Sequence, residues 1–171
     1  MSVLKAQHAD ISALLALVNG AFRGDSARRG WTHEADLLDG TRRTDESTLR
    51  TLFDTPGAVI LKYCDERNEL QGCVSLQKKE RGMYLGMLTV RPDLQGGGIG
   101  KKLLAAAEGH AKEQGCHSIY MTVFSVREEL VAWYERHGYL KTGERLPYPA
   151  DPRFGVPTQP LEFEVLEKSL Y

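Results

Sequence analysis

The residues best suited to chemistry stand in one short segment: Val90, Arg91, Pro92, Asp93, Leu94, Gln95, Gly96, Gly97, Gly98, Ile99, Gly100 and Lys101. It joins an apolar β-rich run to a helical pattern. Glycines at such a junction let backbone N–H groups approach an anion, and the helix N-terminus adds a favourable dipole, so a phosphate-containing ligand is implied. Lys101 and Lys102 fall in the first helical turn, where cations oppose that dipole unless a bound polyanion offsets them. Two familiar nucleotide loops do not fit. A P-loop would need Gly where Gln95 stands and Ser or Thr where Lys102 stands. A dinucleotide fingerprint from Gly96 meets Lys101, and one from Gly98 meets Leu103, where a small residue is required. A tight turn that holds nothing is the competing reading of the glycines taken alone.

The pattern Gln-x-x-Gly-x-Gly, formed by Gln95, Gly98 and Gly100, resembles the pyrophosphate loop of the GNAT superfamily of acyl-CoA-dependent N-acyltransferases. The strand before it, Pro92, and the helix after it match that family's strand-loop-helix arrangement. A second likeness follows in the correct order: Tyr134, three residues, Gly138 and then the aromatic Tyr139. The resemblance implies acetyl-CoA as co-substrate. Its pyrophosphate would lie against Gln95, Gly96, Gly97, Gly98, Ile99, Gly100 and Lys101, and its pantetheine arm against the backbone of Leu88, Thr89 and Val90. A backbone N–H near Val90 would polarise the thioester oxygen. Tyr134 would be the general acid for the departing thiolate, because a phenol keeps its proton at neutral pH yet lies near a thiol in acidity. On helical spacing alone Tyr134 also reads as a core residue. Many relatives carry Asn seven residues before this tyrosine, where this chain has Arg127. Three readings of Arg127 stand: contact with a cofactor phosphate, contact with a substrate carboxylate, or capping of the helix that follows.

An amine attacks a thioester only when neutral, so a proton acceptor is needed, directly or through water. Some members of the family place Glu on the strand before the glycine turn, but residues 83–90 contain neither a carboxylate nor a histidine. A water relay or a carboxylate from elsewhere follows. Glu34 is the candidate, in a segment over residues 23–44 that also holds His33 and Trp31. Trp31 is the candidate acceptor-binding residue. The opposing reading has Trp31 anchoring the loop and Glu34 solvated. Pro147, Tyr148, Pro149 and Phe154 form a stiff aromatic loop that would wall the same cleft or pack on the surface.

These residues need a scaffold, and hydrophobic periodicity supplies one. Residues 2–6 read as a strand. Ile11, Leu14, Leu15, Val18 and Phe22 mark one helix face, with Asp10 placed to cap it. A second helix begins near Thr44, with Asp45 and Glu46 at its start and Pro56 and Gly57 at its end. Three β runs over 58–64, 70–77 and 83–90 have short polar links and therefore pair antiparallel. Ile99, Leu103, Ala107 and Ala111 mark a helix closed by Gly115, and residues 119–124 form the next strand, a βαβ crossover of right-handed, parallel type. A fourth helix over 128–137, a short strand over 139–142, a Pro-rich loop over 147–160 and a last strand over 161–166 complete the order. The expected fold is a single α/β domain over residues 1–171, with a mixed, mostly antiparallel twisted sheet of about seven strands and four helices.

At 171 residues, 42% hydrophobic and 26% charged, the composition is that of a globule and not of a disordered chain. A net charge of −1 provides no field for gripping nucleic acid. No continuous apolar run reads as a signal peptide or a membrane span. Three cysteines without C-x-x-C spacing read as reduced thiols, fit a cytoplasmic setting and imply no metal. The expected reaction moves acetyl from acetyl-CoA to a primary amine of a small molecule, by direct attack in a ternary complex, because no Cys lies in either motif to carry the acyl group. Two alternatives remain: a non-catalytic acyl-CoA-binding module, and a protein or peptide N-acetyltransferase. A homodimer is compatible with the sequence.

Overall fold

The structure, a computed structural model, describes residues 2–23, 30, 33–40, 42–149 and 151–171. Strand β1 (Ser2–Lys5) leads through a 3-10 turn into helix α1 (Ile11–Phe22). A two-residue strand β2 (Leu38–Asp39) and helix α2 (Glu46–Asp54) precede three long strands, β3 (Ala58–Cys64), β4 (Leu70–Lys78) and β5 (Met83–Val90). Helix α3 (Ile99–Glu113), strand β6 (Ser118–Phe124) and helix α4 (Glu128–Arg136) follow. The chain ends with β7 (Leu140–Pro147), the two-residue β8 (Val156–Pro157) and β9 (Glu162–Ser169).

Seven strands form one sheet in the order β1-β3-β4-β5-β6-β9-β7, and β2 and β8 form a separate two-stranded ladder. Every pairing in the large sheet is antiparallel except β5 with β6, the product of the α3 crossover. The central strands alternate between two buried faces. Ile60 and Cys73 pack with Leu14, Val18 and Leu49 of α1 and α2. Their neighbours Leu61 and Val74 pack on the other side with Leu103, Ala107 and Tyr134 of α3 and α4. Helices on both faces require strands apolar on both sides, which is how residues 58–64 and 70–78 read. Gly72 lets α3 lie close: a Cβ there would stand 2.8 Å from the Thr89 carbonyl oxygen and 2.9 Å from Leu103 Cδ1.

Several local expectations need correction. Asp10 does not cap α1 through its side chain. Its carboxylate instead accepts the Gln7 N–H at 2.8 Å and pairs with Lys62 at 3.0 Å, stapling the turn to β3. Asp45 does cap α2, accepting the Thr48 N–H at 2.8 Å. The strand predicted over 139–142 runs on to Pro147 and the last strand reaches Ser169. β7 is exposed along its whole length and pairs with β9, so its residues lack the apolar alternation that marks a buried strand. The two stretches read as irregular also touch, because Leu38 pairs with Pro157 and Asp39 with Val156. Cys64, Cys73 and Cys116 are free buried thiols, and the register places Cys73 opposite Lys62, not Cys64.

Candidate active site

The parallel β5–β6 ladder is held at two residue pairs, Met83 with Ile119 and Tyr84 with Tyr120. Beyond them both strands continue without pairing to each other, and a cavity of about 950 Å³ lies in the opening, lined by Leu85 to Leu88 of one strand and Met121 to Phe124 of the other. A register shift between Cys73 and Ser75 on β4 marks a bulge in β5, where Met87 has φ 50°. A bulge bends its strand and sharpens the local twist, which is how β5 leaves β6. The bulge is secured from behind: the Thr89 hydroxyl donates to the Met87 carbonyl at 2.7 Å, and the Cys73 thiol reaches the same oxygen at 3.9 Å.

The glycine turn forms one end of the opening. Gly96 and Gly98 have φ of 92° and 87°, the left-handed region, and a Cβ at either would meet nothing within 4 Å. Gly98 is the N-cap of α3, and the first helical bond runs from the Lys102 N–H to the Gly98 carbonyl at 3.1 Å. The N–H groups of residues 99–101 therefore lack intrahelical partners by helix geometry. Gly96, Gly98, Ile99, Gly100, Lys101 and Gln95 all line the cavity, as do Leu88 and Val90. Gln95 also fixes the turn: its amide donates to the Val90 carbonyl at 3.1 Å, and a Cβ at Gly30 would collide with it. Gly97 is not on the cavity wall, and the Thr89 side chain is buried behind it. Lys102 turns away to the Tyr63 hydroxyl at 3.5 Å, so of the two lysines only Lys101 faces the opening.

Tyr134 lines the same cavity, buried among Trp133 and Tyr139 in edge-to-face contacts at 5.1 and 5.8 Å. Burial pushes its phenol well above the ordinary range, and the Arg127 guanidinium pulls it partly back. The hydroxyl therefore carries its proton at every physiological pH. Arg127 is half-buried on the same wall, within electrostatic reach of Glu34 and Tyr134.

The far end of the cavity is built from segments distant in sequence. The Glu34 N–H bonds the Phe22 carbonyl at 2.7 Å, anchoring this loop to the end of α1. Glu34 is buried, not solvated, and its Oε1 accepts from Arg23 Nε at 3.1 Å and Nη2 at 3.1 Å. Arg23, itself buried, also donates to the carbonyls of Arg42, at 2.9 Å, and Phe154. Asn19 accepts from the Thr44 N–H at 2.9 Å and from the Arg43 N–H, and so places Arg43 with its guanidinium 5.8 Å over Phe22 and its Nε 4.0 Å from Glu34. Tyr148, Pro149 and Phe154 do wall this cleft. Trp31 lies outside the described residues. Phe22, Arg23 and Arg43 also line this end of the cavity, and the sequence had given them no part in a site.

Several buried groups ionise late, Cys64 among them. Burial pushes the Cys73 thiol up to about 12, and raises the phenols of Tyr134 and Tyr139, the latter with help from Glu108 at 3.2 Å. An unfolded chain releases these protons near pH 9 to 10, whereas the folded one keeps them, so their contribution is intact below that range and is lost as pH climbs from it through the raised folded values. Urea midpoints are expected to be flat from pH 7 to 8.5. Above about pH 10 each group removes up to roughly 1.4 kcal/mol of stability per pH unit. A midpoint unchanged at pH 10.5 would contradict this burial.

The profile of the Acetyltransferase (GNAT) family matches residues 23–139. An acetyltransferase of Agrobacterium fabrum is 36% identical over 61 residues, covering 36% of this chain and 43% of that protein. The mycothiol acetyltransferase of Streptomyces coelicolor is 30% identical over 133 residues, 77% of this chain and 40% of that protein. The matched stretches thus span less than half the length of either curated relative. A Salmonella typhimurium structure determined with its cofactor acetyl-CoA shares the fold, with a TM-score of 0.72 at 19% identity over 100% of this chain and 94% of that one. Fold, loop pattern and family profile agree: this chain belongs to the GNAT acetyltransferase family.

Proposed function

We propose that this chain is an N-acetyltransferase that moves acetyl from acetyl-CoA to a primary amine of a small molecule, by direct attack. The observation that carries this reading is the splay of β5 from β6. It opens one continuous trough from the glycine turn, past Tyr134, to Glu34.

The trough fits the donor. Open left-handed glycines and the α3 N-terminus suit a pyrophosphate. Past Tyr84, the edge of β5 is left without β6, which suits an extended amide-bearing arm that adds alongside a strand. Acetyl-CoA, when bound, supplies the activated thioester. Leu88 and Val90 would orient the arm, with a backbone N–H near Val90 directed at the carbonyl oxygen. Tyr134 holds a proton at Oη for the departing sulfur, and the positive charge of Arg127 lowers the cost of giving it up. Glu34 is the carboxylate at the acceptor end, assigned to receive the amine proton directly or through water.

The test is thiol release from acetyl-CoA in the presence of a panel of primary amines. Amine-dependent release with intersecting double-reciprocal lines is the expected result. Parallel lines would replace direct attack with an acyl-enzyme route. No release from any amine despite acetyl-CoA binding would favour the non-catalytic module.

A further inference from the structure

Four of the chain's five phenylalanines, Phe22, Phe124, Phe154 and Phe163, line the cavity, and Tyr148 lies among them. Alternation along β6 sorts the walls into two faces. Met121 and Val123 pack with Leu85 and Tyr134 in the core beneath α3, whereas Thr122 and Phe124 point to the opposite face of the sheet. There Phe124 stands across the ladder from Phe163 with the rings stacked at 4.9 Å, and Tyr148 meets both edge-on at 5.3 and 5.8 Å. Rings so arranged can take a further ring in the same stacked or edge-on contacts. The rings of Phe22 and Phe154 each already hold a guanidinium, Arg43 at 5.8 Å and Arg153 at 5.1 Å. A second cation at those rings would meet like charge, and an uncharged ring would not.

Where this aromatic face meets the splay, Tyr84 Oη and Thr122 Oγ1 lie 3.3 Å apart on the cavity surface. A hydroxyl carries two lone pairs, so the pair can bond each other and still accept N–H bonds from an amine. Thr122 and Phe124 are two positions apart on one face, about 7 Å along the strand, which sets a short link between such an amine and a ring beside Phe124.

We infer that the acceptor is a primary arylalkylamine with a short alkyl link, its ring received by Phe124, Tyr148 and Phe163 and its amine directed toward the thioester by the Tyr84 and Thr122 hydroxyls. This rests on the acetyl-transfer reading.

A matched series tests it: 2-phenylethylamine, propylamine, putrescine and 4-phenylbutylamine, each as acceptor in the thiol-release assay. 2-Phenylethylamine is expected to exceed propylamine and putrescine in kcat/KM by about tenfold to a hundredfold, the span for burying an aromatic side chain. In Tyr148→Ala, which trims a half-buried side chain outside the sheet, the ratio over propylamine should fall severalfold, and Phe163→Leu should act in the same direction. Equal turnover of 2-phenylethylamine and propylamine, a preference for putrescine, or a ratio unmoved in both variants overturns the inference. A preference for 4-phenylbutylamine overturns the assignment of the amine to Tyr84 and Thr122. Calorimetric binding of N-acetyl-2-phenylethylamine against N-propylacetamide reads the ring site without turnover. Tighter binding of the aromatic amide, weakened in Tyr148→Ala, is expected, and equal binding overturns the ring assignment. A chain that releases no thiol would thus sink acetyl transfer while the calorimetry still decides on the ring.

Discussion

Tyr134→Phe is expected to slow acetyl transfer by roughly tenfold to a thousandfold with little change in acetyl-CoA binding. The range sits at and below the usual contribution of a general acid because a thiolate is already a fair leaving group. The substitution keeps the ring and its edge-to-face contacts with Trp133 and Tyr139, so the variant should melt near the parent temperature. Two measurements isolate the proton. A thioester with a more acidic thiol should recover part of the lost rate. The alkaline limb of kcat/KM should not fall below about pH 10 in the parent on account of this group, since burial holds the phenol protonated past its ordinary range. Full activity of the phenylalanine variant, measured where chemistry limits turnover, would reduce Tyr134 to a packing residue.

The second large effect is expected at Gly98. Its φ of 87° is strained for any residue with a Cβ, and a valine there adds about 1–2 kcal/mol of backbone cost. A Cβ at Gly98 meets no protein atom within 4 Å, so nothing in the folded chain collides with it. The added side chain instead occupies space that a pyrophosphate would need. Gly98→Val should therefore weaken CoA by about tenfold or more, beyond what its modest loss of stability explains. Asparagine tolerates the left-handed region, so Gly98→Asn separates strain from obstruction. If Gly98→Asn remains as stable as the parent but also binds CoA poorly, obstruction is the cause. Unaltered CoA affinity in a folded Gly98→Val protein would remove the glycine turn from the donor site.

Legibility in the sequence tracked the distance over which each feature is determined. Helices α1 and α3 and strands β3, β4 and β5 were readable because each buries a face at its own period, and β5, β6 and α3 form a local crossover. The glycine turn was readable because backbone freedom, helix N-terminus and strand end sit within a dozen residues. The bulge at Met87 left no such trace: nothing in methionine favours φ 50°, and the conformation is held by Thr89 and Cys73. The end of the cavity proposed for the acceptor was the least readable part. Glu34 was singled out, but its buried pairing with Arg23 depends on contacts from Arg42 and from Phe154, 131 positions away. β7 escaped for a different reason. An exposed edge strand is specified by its partner β9 more than by its own side chains.

The small β2–β8 ladder marks where this chain can be lengthened without breaking a ladder of the large sheet. Among the described residues, two residue pairs, the Arg23 guanidinium and Thr158, whose N–H and hydroxyl donate to the Leu37 and Asp36 carbonyls, tie the segment before α2 to the segment before β9, and the tie lies outside the ladders of the large sheet. Lengthening either segment costs little, because doubling a loop adds only about 0.6 kcal/mol of closure entropy. Insertions or exchanges there would reshape the end of the cavity proposed for the acceptor and leave the β5 and α3 stretch proposed for the donor in place. Leu37 and Leu38 nonetheless pack with Phe124 and Phe163 of the large sheet, so changes that spare these two leucines would vary this end of the cavity at least cost to the fold.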